Sequence, residues 1–182
     1  IEFNARVTNQ AGNLDGPTLA ATAAFVQGGV IGAIDTVTET VVEPAFNGMV
    51  KQVDTFTPSV DSGPSTAEVS VRFTQSGDVP AFNVVLTDGF TGLSGAGAYT
   101  AERISIGGTV YDIAAGDSLP AGVTFTGTND GIVVNIDKVG PGVQVIVYYS
   151  VQVANDTAYA NTDATLTWTS LPDSFSSWGE TP

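Results

Sequence analysis

The sequence predicts an all-β chain folded as an antiparallel sandwich with Greek-key connections. Three observations carry this. No window keeps apolar residues at the helical spacings i, i+3, i+4 and i+7. Runs of alternating apolar and polar residues recur along the whole chain. The segments between them are rich in Gly, Pro, Asn, Asp and Ser, the residues that turns require.

The runs fall in order. "IEFNARV" (1–7) sets Ile1, Phe3, Ala5 and Val7 against polar neighbours, and "AEVSVRFTQ" (67–75) does the same with Val69, Val71 and Phe73. "FNVVLTD" (82–88), "GIVVNID" (131–137), "VQVIVYYSVQV" (143–153) and "ATLTWTS" (164–170) follow. "DSGPS", "QSGDVP", "GLSGAGA", "IGGT", "AAGDSLPAG", "TNDG" and "VGPG" separate them and read as turns.

Composition narrows the chemistry. Nineteen acidic residues face five basic ones, Arg6, Lys51, Arg72, Arg103 and Lys138, giving a net charge of −14. Phosphate neutralisation needs clusters of Lys and Arg, so nucleic acid and anionic membranes are poor partners. A dispersed negative surface suits solubility, a saline setting, or divalent cations bridging carboxylates. The chain has no Cys and no His. Thiol nucleophiles, His-based triads, ordinary zinc sites and disulfides are thereby excluded. No Ser sits in a nucleophile elbow and no motif singles out a carboxylate pair for glycoside hydrolysis, so no enzymatic activity is expected. No apolar run is long enough to span a bilayer.

An internal echo suggests the domain organisation. "IEFNARVTNQAGNLDGPTLAATAAF" (1–25) lines up with "VYYSVQVANDTAYANTDATLTW" (147–168): an alternating strand, an Asn/Asp-rich loop, then a Thr/Ala-rich strand. Residues 1–26 therefore read as the terminal hairpin of a preceding repeat, or as donated strands. Residues 27–47 read as a linker strand, 48–172 as one sandwich repeat and 173–182 as a tail. The start inside a strand reads as that of a mature or excised piece. A lone hairpin is marginal in water, so 1–26 is expected to pack on this domain, a neighbouring repeat or another chain.

The order of motifs from 41 to 172 resembles a bacterial surface-protein tandem-repeat family, the type called domain of unknown function eleven. The matching pieces are "VVEP" (41–44), "GMVKQV" (48–53), "VPAFNVVLTDGF" (79–90), "LPAGVTF" (119–125), "YYSVQV" (148–153) and "ANTDATLTWTSLP" (160–172). The resemblance implies an immunoglobulin-like sandwich outside the cell, serving as a spacer, adhesive or wall-associated module without catalysis. Two departures stand out. An insertion near 91–118 separates Asp88 from "LPAG", and Asp163 interrupts the final strand's usual Asn-Thr-Ala.

A weaker similarity, to the isopeptide-forming domains of adhesins and pilins, points to one covalent chemistry. In such domains a Lys on the first strand attacks the carboxamide of an Asn on the last, with a buried acid between them. The amine must be neutral to attack, and the acid protonated to polarise the carbonyl. Lys51, Asp88 and Asn161 occur in that order. Lys51 alternates in phase with Met49 and Val53, and Asp88 with Val84 and Leu86, so both are expected to point inward. Strict alternation inward through Thr162, Ala164, Leu166 and Trp168 leaves Asn161 facing out unless a bulge at Asp163 reverses the parity. Asn155 is the alternative amide. The same residues also suit plain structural roles: a snorkelling Lys51, a turn-forming Asp88 and a loop-capping Asn161.

Calcium is the candidate cofactor, with Asp35, Glu39, Glu43, Asp130 and Asp137 as the ligands considered; no loop matches the EF-hand spacing. Trp168 and one of Tyr148 and Tyr149 are expected in the core, and Trp178 in the tail is free to dock on a neighbour. Three functions follow: a structural or adhesive repeat of a large extracellular or cell-surface protein; a subunit of an extracellular filament or sheath assembled by strand donation; and a carbohydrate-binding module. The expected partners are neighbouring repeats, identical subunits, a surface receptor or a glycan.

Overall fold

A computed structural model describes residues 18–59, 63–91, 99–128, 130–153, 160–161 and 163–172. All regular structure among them is β: β1 (Thr18–Gln27), β2 (Val30–Thr40), β3 (Phe46–Thr57), β4 (Ser65–Gln75), β5 (Ala81–Thr91), β6 (Tyr99–Ile106), β7 (Thr109–Asp112), β8 (Val123–Thr128), β9 (Gly131–Val139), β10 (Gln144–Val153), β11 (Ala160–Asn161) and β12 (Thr165–Thr169). The strand expected at 1–7 lies outside the described residues.

Ten of these strands build an immunoglobulin-like Greek-key sandwich. One sheet runs β3-β4-β10-β6-β7; the other runs β11-β5-β9-β8, with β12 continuing along the same edge of β5. Alternation decides which face each strand buries. On β4, Ala67, Val69, Val71 and Phe73 are buried, and on β10, Val145, Val147, Tyr149 and Val151. Val84, Leu86 and Phe90 of β5 and Ile132, Val134 and Ile136 of β9 meet them from the opposite sheet in one contiguous core. Each such side chain contributes about 1.5–3 kcal/mol of transfer free energy. The outward residues of the same strands stay polar or half-exposed, the pattern of a sheet with one wet face.

The stretch read as an insertion supplies β6 and β7. β6 pairs with β10 along Val145–Val151, and its Ile104 is fully buried. These residues therefore complete a sheet. Their hairpin closes through Gly107 and Gly108, both at positive φ, as a two-residue turn with the native strand twist demands.

β1 and β2 form a separate two-stranded sheet. Gly28 and Gly29, again at positive φ, make its turn, and Thr18–Gln27 pairs with Val30–Thr40 through a bulge at Phe25/Val26. Most of the segment read as a linker strand is thus the second arm of a hairpin. Val26, Val30, Ile31, Ile34 and Val37 all stand exposed on it.

Candidate functional site

Among the described residues the sandwich core holds one carboxylate. Asp88 shares the inward face of β5 with Val84, Leu86 and Phe90, and is fully buried. A buried acid requires polar partners for both oxygens. Lys51 Nζ contacts Oδ1, and the Tyr149 hydroxyl donates to Oδ2 at 2.6 Å. The Lys51 side chain is 15% exposed against 0% for Asp88, so the amine enters from the rim of the sandwich.

Local structure explains each placement. Lys51 lies opposite Val71 in the β3–β4 ladder, and opposed residues share a face, so it takes the core side. β3 has a paired neighbour on one side only, and two register shifts let it splay. Met49 and Val53, which alternate with Lys51, are accordingly left exposed. Tyr149 arrives from the centre of the first sheet, paired with both Val69 and Ala101. Aromatic rings wall the site: Phe90 stacks on Tyr149 at 5.8 Å between centroids and on Tyr99 at 6.1 Å. Burial pushes the Tyr99 phenol upward from its ordinary pKa.

The last strands run along β5 beside this site. Asn161 pairs with Phe90, two positions from Asp88, whereas Thr165 pairs with Thr87. Four residues of the last strand thus advance while β5 advances three, which places one extra residue between Asn161 and Thr165 in the stretch that contains Asp163. An extra residue reverses alternation. Ala164, beyond it, is buried. The backbone therefore sets Asn161 level with the inward position Phe90. Lys51 and Asn161 sit on edge strands of different sheets, β3 and β11, and Lys51 contacts Asp88. Asn155 lies outside the described residues.

Tyr149 is the member that sequence reasoning did not assign. Its signal was available: it alternates in phase with Val145, Val147 and Val151, and a buried phenol needs an acceptor.

The calcium candidates are dispersed. Asp35 and Glu39 are exposed on β2, Asp130 is exposed in the β8–β9 turn, and Asp137 is exposed on β9. Glu43 accepts a hydrogen bond from Ser170. Among the described residues no three His, Cys, Asp or Glu side chains group so as to hold a metal ion.

The aromatics divide differently from expectation. Tyr149 is core, but Trp168 is 38% exposed because the β12–β5 register shifts between Thr167 and Thr169 and turns it outward. Its indole packs edge-on to Phe46 at 4.9 Å and donates to the Pro44 carbonyl at 3.2 Å, clamping the entry to β3. Tyr148 lies on the outer sheet face with the Arg103 guanidinium 4.0 Å over its ring. Trp178 lies outside the described residues.

No family model matches the chain, and no curated protein matches it. Among solved structures the chain is similar to the crystal structure of the RrgA Jo.In complex, with a TM-score of 0.42, 13% identity, and coverage of 83% of this chain and 89% of that one. It is similar to the pilus backbone RrgB from Streptococcus pneumoniae, with a TM-score of 0.42, 17% identity, and coverage of 72% of this chain and 54% of that one. A third is the CBM3a-L domain with flanking linkers from the scaffoldin cipA of the Clostridium thermocellum cellulosome, with a TM-score of 0.33, 13% identity, and coverage of 67% and 72%.

Proposed function

We propose that this domain is a non-catalytic, load-bearing module of an extracellular or cell-surface protein, closed covalently by an amide between Lys51 and Asn161. The observation that carries the reading is the contact of Lys51 with buried Asp88, on a strand whose ladder partner two positions away is Asn161. A Cys-free chain cannot brace itself with disulfides, and an amide joining the first and last strands of the sandwich is the equivalent its residues allow.

The step balances within the chain. Proton transfer from the Lys51 ammonium to Asp88 leaves a neutral amine beside an uncharged acid. The amine nitrogen attacks Cγ of Asn161 while Asp88 polarises the carbonyl through its proton. One proton of the attacking amine passes by way of Asp88 to the original amide nitrogen, and the tetrahedral intermediate collapses as the Cγ–N bond to that nitrogen breaks and one ammonia leaves. Asp88 ends as the uncharged acid, holding the proton first taken from the ammonium, and the new Nζ–Cγ amide needs no oxidant or cofactor. Tyr149 holds the second carboxylate oxygen and so fixes the orientation of the acid.

The test is the intact mass of the denatured protein. The reading expects a mass one ammonia below the sequence value, and expects the full mass in Lys51→Ala and Asp88→Ala. A parent at full sequence mass would overturn it.

A further inference from the structure

The stretch 41–45 joins the β1–β2 hairpin to the sandwich and has no regular structure of its own. It is pinned all the same. Val41 and Pro44 are buried, while Val42 between them is exposed. The Ala45 carbonyl accepts hydrogen bonds from the Ser76 and Gly77 amides at 2.7 and 3.3 Å. Gly77 permits this approach, because a Cβ there would stand 2.7 Å from the Ala45 nitrogen and 2.8 Å from the Glu43 carbonyl oxygen. One side of the stretch therefore rests on the turn between β4 and β5.

The end of β12 holds the other side. The Trp168 indole donates to the Pro44 carbonyl and packs on Phe46, and the Ser170 hydroxyl donates to the Glu43 carboxylate. The two hydrogen bonds bridge 124 and 127 positions of sequence, so the chain entering β3 and the chain leaving β12 run side by side. A pull between the hairpin and the chain beyond β12 meets these contacts first. Behind them lie β3 and β12, each paired with one neighbour only among the described residues. Such strands open from their ends, one pair at a time. Peeling reaches Lys51 on β3 and Asn161 beyond β12, where the proposed amide ties the two together.

We infer that Trp168 and Ser170 form a force-released latch on the stem of the hairpin, giving up one short, fixed length of chain before the Lys51–Asn161 amide takes the load. The stop rests on the proposed cross-link; the latch rests on the Trp168 and Ser170 contacts. Roughly twenty residues lie outside the amide between Thr40 and Asp173, which at about 3.3 Å each amount to roughly 75 Å of chain. The strand pairs that bury Val69, Val84 and Val134 lie behind the stop, so the core stays folded and the peeled ends close again on it.

Pulling with optical tweezers tests this. The chain has no Cys, so Thr40→Cys with Asp173→Cys supplies a unique pair of handles and leaves the hairpin out of the loaded path. The otherwise unaltered protein is expected to lengthen in one reversible step of at most roughly 75 Å, and then no further. Trp168→Ala is expected to move that step to lower force at unchanged length, and Trp168→Ala with Ser170→Ala to move it lower still. Thr167→Ala, at an exposed position of β12 opposite Val85, is expected to leave the force unchanged, which separates the latch from a general weakening of the strand. With the amide confirmed by intact mass, a step indifferent to Trp168→Ala, or lengthening without a step, would overturn the latch. A sample at full sequence mass that lengthens through the whole sandwich would overturn the cross-link, and the stop with it.

Discussion

The hairpin β1–β2 and the sandwich are written in the same residue vocabulary, Val, Thr, Ala and Gly in alternation, yet they end in opposite states. In the sandwich the alternation has an opposing sheet to face, and Val69, Val71, Val84 and Val134 are buried. In the hairpin Val30 and Ile31 stand 69% and 60% exposed. The difference teaches that strand pattern specifies a strand with two faces, while a partner decides which face is core. The sandwich carries its opposing sheet in the same chain, and the hairpin leaves its apolar residues exposed.

Polar groups follow the same division. Asp88 is buried and held by Lys51 and Tyr149. Asp35, exposed on the hairpin, accepts a hydrogen bond from the neighbouring Thr36 amide. One acid is enclosed by its partners; the other faces solvent.

Breaking the sandwich side should have the largest effect. Asp88→Ala leaves the Lys51 amine and the Tyr149 hydroxyl facing a void, and removal of one partner of a buried pair costs about 3–5 kcal/mol. Denaturant titration should show that loss together with a larger m-value, because without the cross-link the denatured chain exposes more surface.

A smaller, pH-dependent effect belongs to Tyr99, whose buried phenol hydroxyl has no hydrogen-bond partner among the described residues. Its folded pKa lies above the unfolded value, so the folded state holds the proton more tightly. That contribution is fully present below the unfolded pKa and is lost as pH rises toward the folded one. Stability should therefore fall in alkali, and Tyr99→Phe should flatten the decline in a pH series of melting curves.

The smallest effect is expected on the hairpin. Val37→Ser should change the unfolding free energy of dilute protein by less than about 0.5 kcal/mol, because the side chain is already in water. A larger loss in dilute solution would mean that the hairpin packs within its own molecule.

Much of this was legible beforehand, and the failures have definite causes. Alternation located β4, β5, β9 and β10, and the inward placement of Lys51 and Asp88 followed from parity. Parity failed where a ladder slips. The ladder carries one extra residue between Asn161 and Thr165, and the shift before Thr169 exposes Trp168. A bulge leaves a weak trace in sequence because it depends on the strand opposite. The stretch 91–118 resisted reading for a related reason: β6 is defined by its pairing with β10, 39 residues away in the chain for Ile106 with Val145 and 52 for Tyr99 with Val151, a scale of separation that local pattern does not encode.

Single-molecule extension of the domain between its termini tests the central claim most directly. With Lys51 joined to Asn161, the intervening residues are bypassed by the load and should add no length at any force below covalent rupture. Release of that stretch, roughly 360 Å of chain at about 3.3 Å per residue, would contradict the covalently closed sandwich.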